Sequence, residues 1–151
     1  MLNIGYMTFF LEQTFKCESL PTREHPVSIP QFAETIVERT KICTTTLVVA
    51  MFYLIRLKQK HPRCKGSLGS GFRLLLSAII LAAKYLYDDT YDNSAWATVS
   101  SGMFKLEQVN QMEMEMLGFL EFQLFIKVSD WQYFYQQLGH RISRSNQKMS
   151  S

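Results

Sequence analysis

Near the end of the apolar run SAIILAAKYLYDD, residues 77–89, stands a single lysine, Lys84. Further on, VNQMEMEMLGFL sets Glu113 among methionines and leucines. An ammonium and a carboxylate in such surroundings can form an ion pair internal to the fold. They can instead stand at the edge of an apolar patch and hydrogen-bond the backbone of a partner. On a wheel of about 100° per residue, Arg73, Ser77, Lys84 and Asp88 fall within roughly 60° and make a narrow polar seam. Lys84 therefore has a route to the surface, in the manner of a snorkelling lysine. Leu106, Val109, Met112, Met116, Leu117, Phe119, Leu120 and Leu124 cluster in an arc of about 160°, with Glu107, Gln111 and Glu115 opposite. Glu113 falls inside that arc, where a carboxylate costs several kcal/mol unless it is paired or protonated. An internal pair gains little stability, since desolvation offsets attraction. The residues alone leave both resolutions open.

Helical periodicity must position these two charges, since it dominates the chain and no alternating strand pattern stands out. Residues 1–20 read as an irregular helix, followed by the turn-rich SLPTREHPVSIP. Ser28 with Gln31 forms a capping-box pattern that opens a helix to about Thr40. CTTT caps a second helix, from about Thr45 to Lys60, which Pro62 stops before the glycine-containing loop PRCKGSLGSG. A third, from about Gly71 to Tyr87, is apolar on nearly every side and belongs at the centre of a bundle. A short helix follows around Trp96, a long one from about Leu106 to Leu120, and a last one in SDWQYFYQQLG with Ser129 or Asp130 as cap. The tail RISRSNQKMSS is polar. Asp88, Asp89 and Asp92 read as an acidic turn with Asp92 capping the short helix. Trp96 reads as that helix's core anchor, and Met112, Met114 and Met116 as ordinary packing.

Several classes of chemistry are not supported. At 151 residues, 47% hydrophobic and 19% charged, the chain has the composition of one globular domain. Cys17, Cys43 and Cys64 are odd in number and lack CxxC spacing, which fits a reduced intracellular compartment and neither a disulfide framework nor a zinc site. His25, His61 and His140 lie far apart. No metal or cofactor is expected, and no small-molecule ligand. GSLGSG follows no strand and lacks the lysine of a phosphate-binding loop, and no Ser/His/Asp or Cys/His set appears, so catalysis is not expected. The net charge of +3 is mild. Arg56, Lys58, Lys60, His61, Arg63 and Lys65 read as a solvated helix end and loop, too sparse a surface for nucleic acid. The start lacks a positive n-region, which argues against a signal peptide. Leu74 to Ala83 is about half the length that spans a bilayer.

The stretches RLLLSAIILAAKYLYDDTYDNSAWA and LEQVNQMEMEMLGFLEFQLFI resemble the core of a cyclin box. The form with DD, an asparagine and Trp-Ala after the lysine is similar to the PCL (phosphate-pathway-type) cyclins of fungi, with plant U-type and animal Y-type cyclins as relatives. SIPQFAETIVERT and TTLVVAMFYLIRLKQ fit the first two helices of the box. The resemblance implies an all-α fold: one five-helix cyclin box over 28–126, an N-terminal extension over 1–27, and a C-terminal helix and polar tail over 127–151. It implies a non-catalytic, intracellular subunit, in the nucleus, the cytoplasm or both, that binds and activates a cyclin-dependent kinase as a heterodimer and helps direct its substrate choice. It places Lys84 and Glu113 as hydrogen-bonding residues against backbone near the kinase's PSTAIRE-type helix. Leu81, Tyr85, Leu117, Phe122 and Leu124 become the hydrophobic contacts. FFLEQTF at 9–15 either packs on the box or touches the kinase. Two departures stand out. YLIR has Ile55 where the family commonly has aspartate, and the arginine that would pair with that aspartate is missing too. The apolar motif that docks RxL substrates is not recognisable in 28–40, and the chain leaves no length for a second box. The rival reading is a scaffold of the same fold that binds another protein or nucleic acid without activating a kinase.

Overall fold

A computed structural model describes residues 4–15, 27–63, 70–133, 135, 136 and 147. The regular structure of these residues is entirely helical: α1 (Ile4–Phe15), α2 (Ile29–Thr40), α3 (Thr44–Lys60), α4 (Ser70–Leu86), α5 (Asn93–Val99) and α6 (Leu106–Phe119). A further helical stretch lies at 128–133 and 135–136. The five helices α2 to α6 are those expected of the box, with α1 before them and the last stretch after them. Residues 16–26, 64–69 and most of the tail lie outside the described set, and with them Cys17, Cys64, His25, Lys65 and His140.

α4 is the centre of the bundle, as its run of apolar residues requires. Leu75 to Ala83 are buried without interruption, and α4 packs on α1, α2, α3 and α6. Ser77 is buried in this run because its hydroxyl donates back to the Arg73 carbonyl, 2.7 Å away, which satisfies it within the helix. α2 begins as its sequence dictates. Ser28 Oγ accepts from the Gln31 backbone N–H, and the Gln31 side chain accepts from that of Ser28. Its buried residues Ile29, Phe32, Ala33, Ile36 and Thr40 keep helical spacing. Phe32 meets the edges of Phe72 and Phe104, which tie α2 to α4 and to the turn before α6.

Several local expectations are corrected. α3 begins at Thr44 with Cys43 at the N-cap, and no side chain of CTTT caps it by hydrogen bond. α1 is a regular helix whose Met7, Phe10, Leu11 and Phe15 are buried, so FFLEQTF packs on the box. The last helical stretch begins at Val128, one residue before the expected cap. Asp130 instead accepts from the Lys127 N–H from within the first turn. Asp92 does cap α5, accepting from the Ala95 N–H at 2.8 Å. On α6 the apolar arc is narrower than the wheel gives. Val109, Met112, Met116 and Leu120 are buried, while Leu106, Met114 and Phe119 are exposed. Leu106 and Phe119 are the end residues of the helix, where nothing packs over its full width.

Candidate functional site

The two charges identified first do meet. Packing of α4 against α6 brings Lys84 Nζ to 2.9 Å from Glu113 Oε1 and 2.8 Å from Oε2. Asn93, the first residue of α5, completes the set. Its Oδ1 accepts from Lys84 at 2.9 Å, and its Nδ2 donates to Glu113 Oε2 and to Asn110 Oδ1, each at 2.7 Å. Three internal acceptors match the three N–H groups of an ammonium, while the carboxylate keeps unfilled lone pairs. The network lies at the rim, not in the core, since the Lys84 side chain is 34% exposed and that of Glu113 14%. That position keeps the pair hydrated on one side, so its desolvation is incomplete. Asn93 enters the sequence reading only as part of the family pattern, without a role in the site, and Asn110 does not enter it. The signal available was the aspartate cap that fixes Asn93 as the first residue of a helix.

The other expected residues lie around this network at different depths. Tyr85 is half-exposed beside Tyr53, their rings 6.3 Å apart edge to face. The Tyr53 hydroxyl in turn donates to the Leu124 carbonyl at 3.1 Å, so buried Tyr53 contacts both Tyr85 and the backbone of Leu124. Burial pushes the Tyr53 phenol above its ordinary pKa, so it remains a donor. Leu117 is partly buried one turn beyond Glu113, and its carbonyl accepts from the Phe122 N–H at 2.9 Å. Phe122 projects outward, 64% exposed. Leu81 lies 3% exposed, within the core of the free chain.

The segment leaving α6 has an unusual backbone. Glu121 and Phe122 both have left-handed φ, 55° and 58°. For residues with a Cβ this costs on the order of 1 kcal/mol each. The basic end of α3, read from sequence as solvated, is instead tied to this segment. Arg56 donates to the Gln123 and Phe125 carbonyls, the second at 3.1 Å, with its guanidinium over the Phe52 ring. Burial draws the Arg56 pKa down and nearby Asp130 opposes this, but an arginine stays charged. Lys60 pairs with Glu121 at 2.7 Å. His61 Nε2 is 3.0 Å from the Phe119 carbonyl.

Just past the end of α4, the Tyr87 hydroxyl lies 2.9 Å from the Cys43 thiol. That hydrogen bond, helped by the Thr46 backbone N–H, lowers the thiol pKa from 9.0 to about 6. Between these two values the folded chain has released a proton that the unfolded chain still holds. The contribution to stability is thus present above the unfolded value and lost as pH falls through about 6. With Cys17 and Cys64 replaced by serine, alkylation of Cys43 by iodoacetamide is expected to titrate near pH 6. Tyr87→Phe should move that midpoint upward, and an unchanged midpoint would show that the phenol does not stabilise the thiolate.

Among the described residues no group of His, Cys, Asp and Glu is placed to hold a metal ion. A family model described as the N-terminal domain of cyclins matches residues 15–125. The chain is 31% identical to Cyclin-U2-1 of Arabidopsis thaliana over 139 residues, covering 92% of this chain and 60% of that protein. It is 34% identical to PHO85 cyclin-1 of Saccharomyces cerevisiae over 114 residues, 73% of this chain and 41% of the relative. Cyclin-U1-1 of Arabidopsis thaliana is 36% identical over 107 residues, 69% and 49% of the two chains. The chain spans about half the length of the curated relatives it matches.

Proposed function

The chain belongs to the cyclin family, and from that premise we propose that it is a non-catalytic subunit that binds and activates a cyclin-dependent kinase of the phosphate-pathway type. Three of its relatives are named as PHO85 cyclins, which supports that kinase type. The observation that carries the reading is the Lys84–Glu113–Asn93 network at the rim, on helices whose ends also carry half-exposed Tyr85 and, just past α6, the 64% exposed Phe122. Fixed polar groups beside exposed aromatics are what a partner's helix and its adjoining backbone require. Glu113 has acceptor capacity for a partner N–H. Lys84 reaches a partner carbonyl by exchanging its bond to Asn93.

Activation then needs no chemistry from this chain. Its rigid face binds one arrangement of a two-state element in the kinase more tightly than the other. Moving the kinase helix inward lets its glutamate pair with the lysine that holds the ATP phosphates. The heterodimer acts in the nucleus or the cytoplasm and contributes to substrate choice. No helix among the described residues is long and apolar enough to cross a membrane.

Adding the purified chain to such a kinase, itself purified without a cyclin, is expected to raise peptide phosphorylation about tenfold or more. That corresponds to a shift from a minor to a major active population. Tight binding with no rise in rate would reduce the chain to an adaptor.

A further inference from the structure

We propose that Tyr53, Arg56, Lys60 and His61 form a clamp that holds residues 119–125 in the shape presenting Phe122, which makes Arg56 a positioning residue for partner binding. The inference rests on the kinase-binding reading above. Tyr53, Arg56 and Lys60 stand at i, i+3 and i+7 of α3, one face of a helix, and His61 is the C-cap that follows it. Each reaches the same stretch of chain. His61 contacts the carbonyl of Phe119, Tyr53 that of Leu124, and Arg56 those of Gln123 and Phe125, while Lys60 takes the Glu121 carboxylate. No regular element continues through 120–127, so these carbonyls find their partners on α3.

Two features of the clamped segment are unfavourable within the chain itself. Glu121 and Phe122 are both left-handed without being glycine, and Phe122 leaves a phenyl ring in water. Helix ends need neither, since a single left-handed glycine suffices. A strained segment held by four side chains from α3 and its C-cap, three on backbone carbonyls and one on a carboxylate, with an exposed aromatic within it, fits a pre-shaped contact. Arg56 is central because its planar fork spans two carbonyls that a lysine ammonium could not satisfy in the same way.

The test measures affinity for a purified phosphate-pathway-type cyclin-dependent kinase, with thermal melts alongside. Wild type, Arg56→Met, Phe122→Ala and the double variant complete a cycle. Arg56→Met keeps the stem on Phe52 and is expected to weaken binding about tenfold to a hundredfold. In the Phe122→Ala background the same change should weaken it by no more than about twofold. Arg56→Lys should restore part of the loss. Equal losses with and without Phe122, or no loss at all, would overturn the positioning role while leaving the kinase reading in place. Should Arg56→Met not fold, the cycle runs with Tyr53→Phe, which removes only the hydroxyl on Leu124. A wild-type chain that binds no such kinase overturns the underlying reading, and this inference with it.

Discussion

Trp96→Ala is expected to destabilise the chain by about 3–5 kcal/mol, the range for emptying a large buried aromatic site. For a chain of this size that is a fall in melting temperature of roughly 10–20 °C. The side chain is fully buried, and it is the only buried residue of the seven-residue helix α5. So short a helix has no stability of its own and depends on its tertiary anchor. Asp92 caps it, and Ser100 Oγ accepts from the Phe104 N–H at 3.1 Å to fix its exit, but neither buries apolar surface to match the indole. The substitution should also loosen Asn93, since that residue opens the same helix. Trp96→Phe makes an informative control. The indole N–H has no hydrogen-bond partner among the described residues, so phenylalanine loses volume while removing an unsatisfied donor. Its loss should be less than half that of alanine. An alanine variant that melts like wild type would show that α5 is not held from the core.

Phe122→Ala should behave in the opposite way. The ring is 64% exposed, so its removal should shift the melt by no more than about 1 °C. If Phe122 is an anchor of the kinase interface, binding should fall by about 2–4 kcal/mol, or roughly thirtyfold to a thousandfold. Surface plasmon resonance would place most of that change in the dissociation rate. Unchanged affinity would remove Phe122 from the interface.

The balance between what the sequence discloses and what it withholds follows the range of each interaction. α4 is legible because a helix apolar on nearly every side has only one place to go. α2 is legible because its cap is formed by residues three apart. Lys84 and Glu113 are legible because each stands out from the apolar pattern of its own helix, although the residues alone leave open whether the two pair within the fold or face a partner. Asn93 and Asn110 violate nothing. An asparagine at the start of a short helix and another on a polar face are ordinary, and only the packing of α5 on α6 joins them to the pair. The α3 clamp is hidden for the same reason. Arg56, Lys60 and His61 look like a solvated helix end until the irregular chain after α6 lies across them. That path is not encoded in any periodicity. Leu81, expected at the interface from the family resemblance alone, is buried in the free chain.

Ile55, which departs from the family pattern the sequence resembles, packs partly buried against the core.

The central claim is that the Lys84–Glu113 pair serves an interface and not the fold. Its most direct test is the affinity of wild type, Lys84→Ala and Glu113→Ala for a phosphate-pathway-type cyclin-dependent kinase, with circular dichroism melts of each free chain. Both substitutions should abolish or severely weaken binding. Because the network is at the rim, both variants should remain folded, with the larger melt shift in Lys84→Ala, which leaves the less exposed carboxylate with only Asn93. Variants that unfold, or that bind the kinase as wild type does, would contradict the claim.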